Sequence, residues 1–393
     1  MTYQYGILGS GRQGTAAAYD LVVRGEGESV ALADVNLDIA EAAAQRVNTL
    51  TGERRATAHQ LDLRDRDAVS AFLSPLDAAI SSASYRFNLQ LSEAAIEAGT
   101  CLCDLGGNLG VVRSQLELHD RARSAGVAIV PDCGEAPGLS SNLLARATSL
   151  LEHTEDLLLL DGGLPEKPEP PWNYALTFNV DGLTNEYDGL TTIVRDGEVV
   201  EVPCFEPKEY ELVDLGPPFG TLEAFVAAGG STTPWTLGRG VRSLKNKVLR
   251  YPGHAAQFAA FRDLGLFGED PVPVGDQTVV PREVFHALLE PRIRAHADTR
   301  DVVVARAVAR GSKDGRRAAA TVDLRAFYDE ELGFTAMQET TGWHAAIVCS
   351  LAAAGVVSPG AVPVEVAVDP ARMIDELRGR GFEVKEEVRW EDE

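Results

Sequence analysis

One stretch near the start limits what this chain can become: Tyr5-Gly6-Ile7-Leu8-Gly9-Ser10-Gly11-Arg12-Gln13-Gly14. An apolar run leads into glycines spaced Gly9-x-Gly11-x-x-Gly14, and the small residues from Thr15 to Val23 predict a helix behind them. A second strand, Ser29 to Ala33, ends at Asp34, twenty residues beyond Gly14. Each glycine has its own task in such a turn. Gly9 permits the tight strand-to-helix turn, Gly11 lets a pyrophosphate approach the backbone, and Gly14 lets the helix pack on the strand. The helix N-terminus then presents N–H groups and partial positive charge to phosphate. Glycines in this spacing also serve ligand-free turns. The strand before them, the helix after them and the acid beyond favour a dinucleotide-binding βαβ unit. Gly9, Ser10, Gly11, Arg12, Gln13 and Gly14 are expected around the phosphates, with Asp34 and Val35 at the ribose.

Asp34 selects the cofactor. Its carboxylate can accept both ribose hydroxyls of NAD. Against the 2′-phosphate of NADP, like charges ~4 Å apart repel by about 4 kcal/mol per unit charge at an effective dielectric near 20. Val35 and Asn36 bring no arginine to offset this. NAD is therefore expected; the blander alternative is a solvated turn acid.

The chain has 393 residues, more than one domain usually holds, so two are expected. Its formal charge of −23 argues against nucleic acid and anionic membrane as partners. No run of about eighteen apolar residues is present, so no membrane span is expected. The N-terminus enters a strand directly, with no signal peptide expected. The five cysteines are scattered, with no second pair to follow Cys101 and Cys103. No metal site is expected, and a reducing cytoplasm is the simplest compartment.

From Ile7 to about Pro131 the pattern alternates strand and helix. This predicts an α/β fold, a Rossmann-type doubly wound parallel sheet. Helices are expected over Asp38–Leu50, Asp65–Leu73, Asn88–Ala98 and Gln115–Ser124. Strands are expected over Ala56–Asp62, Leu76–Ser84, Thr100–Asn108 and Val127–Asp132. Asp62 then either meets the adenine or caps the next helix. Ser82, Ala83 and Ser84 end their strand at the carboxyl edge, where small side chains leave room for a ribose or ring. Cys133-Gly134-Glu135-Ala136-Pro137-Gly138-Leu139 is a Gly/Pro loop bracketing a carboxylate.

A second region, about Glu155 to Phe334, has a different pattern. Leu157–Leu160 reads as a buried strand, and Ala175–Val180 alternates. Ile193–Val200 around Asp196-Gly197, and the segment around Lys313-Asp314-Gly315, read as hairpins. Helices are expected over Ala255–Leu264 and Arg282–Leu289. This predicts a second α+β domain with a mixed or antiparallel sheet. The alanine-rich Thr341–Gly355 reads as a close-packing helix, followed after Val364 by a strand-helix-strand unit.

These motifs resemble the saccharopine dehydrogenase-like oxidoreductases, nearest among them the L-lysine 6-dehydrogenases. The resemblance includes Asp104-Leu105-Gly106-Gly107, Pro131-Asp132-x-Gly134-x-Ala136-Pro137-Gly138, Gly162-Gly163-x-Pro165 and Phe219-Gly220-x-Leu222-Glu223-Ala224-Phe225. It continues through Gly229-Gly230-Ser231-Thr232, Arg250-Tyr251-x-Gly253-His254-Ala255 and Thr340-Thr341. It implies a discontinuous NAD-binding domain, residues 1–133 with 335–393, and a substrate-binding and dimerisation domain over 134–334. It also implies a homodimer or larger homo-oligomer and a small-molecule amine as partner. One departure is Cys133-Gly134-Glu135, where the L-lysine 6-dehydrogenases are more apolar.

The implied reaction is NAD-dependent oxidative deamination of lysine at its ε-amine. Secondary amines such as saccharopine or carboxynorspermidine are the alternative, and a non-catalytic NAD-sensing protein is an alternative of another class. For this chemistry Asp104 is the first choice to handle the substrate amine, the alternative being a helix or turn cap, and Tyr85 either orients substrate or packs against the nicotinamide. His254 is either a proton shuttle or a helix cap. Glu135 either receives the amine or is an exposed loop acid. Arg250, with Arg242 as runner-up, is either a carboxylate clamp or a structural ion-pair partner. Thr232 and Thr233 are candidates to hydrogen-bond substrate. His119 and His344 read as structural.

Overall fold

The structure, a computed structural model, describes residues 2–296 and 298–391. The chain divides into two compact units. The first runs to Arg146 and is rejoined by Asp329–Phe334 and Gln338–Val384; the second holds Ala147–Tyr328, Thr335–Met337 and the residues from Lys385 onward.

In the first unit strands and helices alternate: β1 (Tyr3–Leu8), α1 (Arg12–Val23), β2 (Gly27–Asp34), α2 (Leu37–Thr51), β3 (Ala56–Gln60), α3 (Arg66–Leu73) and β4 (Ala78–Ser81). Then come α4 (Asn88–Ala98), β5 (Cys101–Asp104), α5 (Leu109–Leu116), α6 (His119–Ala125), β6 (Ala128–Val130) and α7 (Leu139–Ser149). The strands lie in the order β6-β5-β4-β1-β2-β3, all parallel. The chain starts mid-sheet, winds out to β3 and crosses back to β4. The strand order therefore reverses between β1 and β4, where ligands bind in such sheets. The strands are buried runs such as Tyr5–Leu8 and Ala78–Ser81, as a sheet covered on both faces requires. Caps set several helix starts: the Asn36 side chain accepts from Asp38 N and that of Asp65 from Ala68 N.

Two expectations change here. The strand over Thr100–Asn108 stops at Asp104, because Gly106 and Gly107 turn the backbone to φ 75° and 121°. The helix over Gln115–Ser124 is two helices, broken between Leu116 and His119.

The second unit opens with the long β7 (His153–Pro165), then α8 (Val180–Tyr187), β8 (Leu190–Arg195), β9 (Glu198–Pro203), β10 (Glu211–Asp214) and β11 (Thr221–Val226). It continues with α9 (Thr233–Thr236), β12 (Ser243–Arg250), α10 (His254–Asp263), β13 (Val272–Val274), β14 (Gln277–Val279), α11 (Pro281–Ile293), β15 (Asp301–Lys313) and β16 (Arg316–Phe327). Both expected hairpins form. Asp196-Gly197 joins β8 to β9 at φ 53° and 85°, and Asp314-Gly315 joins β15 to β16 at φ 49° and 70°. Paired positive φ values match the right-handed twist of the strands. The alternation in Ala175–Val180 is not a strand. Leu176 makes an isolated bridge to Arg294, and Asn179 caps α8. Leu176 and Val180 join the aromatic core of Tyr187, Phe225 and Phe258, with Phe178 packed against it.

The chain then runs through α12 (Ala336–Ala353), β17 (Gly360–Ala361), α13 (Val364–Ala367), α14 (Pro370–Gly379) and β18 (Glu383–Trp390). β17 pairs parallel with β6 and brings the first sheet to seven strands. β18 lies beside β16 in the nine-stranded mixed sheet, whose main order is β10-β11-β12-β7-β15-β16-β18. The strand expected after Val364 lies before it, as β17. Helix α12 starts earlier than Thr341 because the Asp301 carboxylate accepts from Ala336 N and Met337 N at 2.7 and 3.0 Å. Residues 134–146, expected with the second region, cluster with the first unit, and β18 ends in the second sheet. Among the described residues no helix is long and apolar enough to cross a membrane.

Candidate active site

The three glycines separate by task. A Cβ on Gly14 would collide with Gly9 O and stand 2.9 Å from Ile7 Cγ2, so helix-to-strand packing excludes a side chain. Gly9 has φ 99°, and its Cβ would meet Ala83 N at 2.8 Å. Gly11 is the N-cap of α1 at φ −71°, and a Cβ there would meet nothing within 4 Å. The fold itself does not require glycine at position 11. A group approaching from outside does, and a pyrophosphate at this helix N-terminus fits.

The loop is held from both neighbouring strands. Gly9 N donates to Ala33 O at 2.8 Å, and Ser82 Oγ donates to Gly9 O at 2.5 Å. Asp34 Oδ2 accepts from Ser10 N at 3.1 Å, and its Oδ1 accepts from Asn36 N at 3.0 Å. The expected ribose acid is thus fixed against the glycine loop, with Val35 exposed beside it. Arg12 O accepts from Gln338 Nε2 at 3.1 Å, and Gln13 follows Arg12 in the first turn of α1. Ala83 and Ser84 follow Ser82 at the end of β4. Asp62 instead closes a local ion pair with Arg64 at 2.7 Å. The Arg64 hydrogen bonds hold its carboxyl down to about 2. It caps no helix: Asp65 caps α3.

At the ends of β5 and β6 the carboxylates are buried rather than presented. Asp104 is 1% exposed. Its Oδ1 accepts from Gly106 N at 2.8 Å and Asp132 N at 3.4 Å, and its Oδ2 from Gln115 Nε2 at 2.7 Å. Gln115 is oriented in turn: its Nε2 also donates to Ser92 Oγ, which donates to Asn88 O. Every neighbour of Asp104 is a donor, so the network favours the carboxylate. Burial nevertheless lifts its pKa to about 6, against the Gln115, Gly106 and Asp132 hydrogen bonds. The sequence placed Asp104 at the substrate amine; its burial makes it a group that shapes the Gly106-Gly107 turn. Tyr85, half-buried, packs on that turn: a Cβ on Gly107 would lie 3.2 Å from Tyr85 Cβ.

The Cys133–Gly138 loop folds back on α7. Leu139 N donates to Gly134 O and Ser140 N to Glu135 O, both at 2.9 Å. Glu135 lies inside this loop and is 7% exposed, not an exposed loop acid. Asp132, just before it, has φ 64°, a strained value for a side-chain-bearing residue. His344 and Asn142 back the loop from α12 and α7.

Within the second unit, Arg250 is buried and fully engaged. It donates to Glu186 at 2.9 and 3.2 Å, to Tyr187 Oη at 2.7 Å and to Leu249 O at 2.9 Å. It is a structural ion-pair partner, and its fork is closed to a substrate carboxylate. Arg242, exposed at the surface, forks onto Asp156. Tyr187 Oη accepts from Arg250, so it donates to His254 Nε2, 3.0 Å away. The His254 ring stacks on Phe258 at 4.2 Å. Burial, then the Arg250 charge, push its pKa well below the usual histidine range, which removes it as a shuttle near neutral pH. Thr233 Oγ1 donates to Gly230 O at 2.7 Å, and buried Thr232 leads into the short α9; both shape a turn.

Four polar groups around the first-unit edge escaped the sequence reading: Gln115, Asp132, Asn142 and the loop contact of His344. Asp132 carried a signal, an acid ending β6 ahead of a Gly/Pro loop. The other three lie on helices whose pattern gives no hint of what they touch.

Two family models cover nearly the whole chain. One described as "Saccharopine dehydrogenase NADP binding domain" matches residues 5–130, and one described as "Saccharopine dehydrogenase C-terminal domain" matches residues 134–382. Among solved structures, the apo saccharopine dehydrogenase (L-Glu forming) of Saccharomyces cerevisiae is similar, with 18% identity and a TM-score of 0.78 over 98% of this chain and 100% of that one. A homospermidine synthase of Legionella pneumophila, solved in complex with NAD, has 14% identity and a TM-score of 0.65 over 100% and 93%. At these identities the structural likeness speaks for the fold.

Proposed function

The chain belongs to the saccharopine dehydrogenase family, and we propose that within it the protein is an NAD-linked dehydrogenase oxidising L-lysine at its ε-amine. Membership makes it an oxidoreductase with an NAD(P)-binding domain. The choice of NAD over NADP is supported by Asp34, whose carboxylate is tied to Ser10 N where a 2′-phosphate would need positive charge. The single observation that carries the substrate half is the pairing of Arg250 with Glu186 and of Arg242 with Asp156. Saccharopine-like secondary amines bring more carboxylates than lysine does, so with Arg250 and Arg242 both engaged lysine leaves fewer charges to be held elsewhere.

Lysine must present a neutral ε-amine before Cε can release hydride. We assign Glu135 to receive the amine's proton, and Tyr85 to orient the chain carrying Cε. Asp104 fixes the Gly106-Gly107 turn against which Tyr85 packs. Bound NAD supplies the acceptor for the hydride. Loss of hydride and one N–H proton leaves an imine. Water adds to it, ammonia departs, and 2-aminoadipate 6-semialdehyde remains.

A second reading, oxidation of a secondary amine, draws support from the names of the two structural relatives. The deciding measurement is NADH absorbance with lysine, ornithine, saccharopine and carboxynorspermidine at alkaline pH, each with NAD and NADP. Lysine turnover with NAD is expected. Turnover of secondary amines alone moves the substrate to the second reading. NAD binding with no turnover points to a sensor. The homodimer or larger homo-oligomer that the resemblance implies is measured by light scattering in solution.

A further inference from the structure

We propose that His344 and Asn142 are positioning residues that hold the Cys133–Gly138 loop, and with it Glu135, in its working shape. This rests on the reading of that loop as the amine site. His344 Nδ1 lies 2.9 Å from Cys133 O. A carbonyl only accepts, so Nδ1 carries the proton and Nε2 is the acceptor. Asn142 Nδ2 stands 3.1 Å from that Nε2 and 3.2 Å from Gly138 O. Its two hydrogens therefore go to His344 and to the loop. The carbonyls at the two ends of the loop are held by one two-residue relay.

The relay has a fixed polarity. Both residues are fully buried. Burial holds the His344 pKa down to about 4, so the ring stays neutral over any ordinary working pH. A second ring proton would face the Asn142 N–H group. Turning the amide to meet that proton would take the side-chain donor from Gly138 O and leave it Asn142 N alone, at 3.0 Å. Asn142 Oδ1 has no hydrogen-bond partner among the described residues. An apolar pair at the same place would avoid that penalty, so packing alone does not account for these side chains.

The relay acts on the loop's two ends and leaves the chemistry to Glu135 between them. Loss of it should affect amine turnover far more than dinucleotide binding, because the Gly9–Gly14 turn shares none of its contacts. The test compares His344→Leu, His344→Asn and Asn142→Leu with the wild-type chain. An asparagine amide reaches the place of Nδ1 and can still donate to Cys133 O. His344→Leu is expected to lower kcat/KM for the amine about 100-fold, with NAD affinity within about twofold of wild type. His344→Asn should recover about tenfold of that loss. Amide hydrogen exchange over residues 131–142 should quicken in His344→Leu and Asn142→Leu and return in His344→Asn.

Unchanged kcat/KM and unchanged exchange in a folded His344→Leu would overturn the proposal, as would His344→Asn behaving no better than leucine. If His344→Leu does not fold, Asn142→Leu and His344→Asn decide by the same readouts. If the wild type oxidises none of the amines, the functional reading fails, and the exchange data still judge the relay.

Discussion

At the scale of single residues, position 34 concentrates the cofactor choice. The Asp34 carboxylate accepts from Ser10 N on one side and Asn36 N on the other, so its direction is fixed. Asp34→Arg replaces repulsion of about 4 kcal/mol toward a 2′-phosphate with attraction. It also leaves two loop N–H groups without their acceptor, at about 1 kcal/mol each. The expected result is a shift of at least about 100-fold in the NADP-to-NAD ratio of binding constants, together with a lower thermal midpoint. Titration of both dinucleotides by fluorescence checks it. An unchanged preference would remove Asp34 from ribose recognition.

At the scale of elements, α12 shows what can be read from sequence and what cannot. Its small residues announced close packing, and Gly342 is where that happens: a Cβ there would lie 2.8 Å from both Ala17 N and Gln13 O on α1. Gly342→Ala should therefore cost about 1–3 kcal/mol through backbone displacement. Gly379→Ala, where a Cβ would meet nothing within 4 Å, should be neutral or slightly stabilising. Urea unfolding of the two variants separates them, and equal midpoints would show that α1 and α12 are looser than described. Local patterns that carry their own chemistry were legible: the glycine turn, the Asp-Gly hairpins and the strand-helix alternation. The start of α12 was not, because its cap is Asp301, some 35 residues back in the chain. Arg250 and His254 misled for the same reason. A guanidinium and an imidazole beside a glycine fit a site equally well until Glu186, Tyr187 and Phe258 are seen to surround them.

At the scale of the whole molecule, buried acids set an unusual response to pH. Burial raises Asp20, Asp104 and Asp301 to about 6 and Asp161 to about 7, although Arg380 pairs with Asp20. A carboxyl whose folded pKa lies above its unfolded value holds a proton that the unfolded chain has released. Its contribution is present at low pH and is lost as pH rises through the folded pKa. Between about pH 4 and 6 these four groups make stability fall with pH. His254, His344 and His286 act the other way across that window, since burial lowers all three while the unfolded chain protonates them. With Glu186 also raised by burial, five carboxyls against three histidines leaves the carboxyls ahead, each net proton being worth about 1.4 kcal/mol per pH unit. Self-repulsion adds in the same direction, because the charge reaches −23 at pH 7 from a pI near 4.7. Proteins whose carboxylates are mostly ion-paired gain stability as pH rises over this range. This chain should instead unfold at lower urea at pH 6 than at pH 4.5, and Asp104→Asn should flatten the difference by about one proton's worth. Greater resistance to urea at pH 6 would mean that the buried carboxyls are already ionised in the folded state at pH 4.5, and that their hydrogen bonds outweigh their burial.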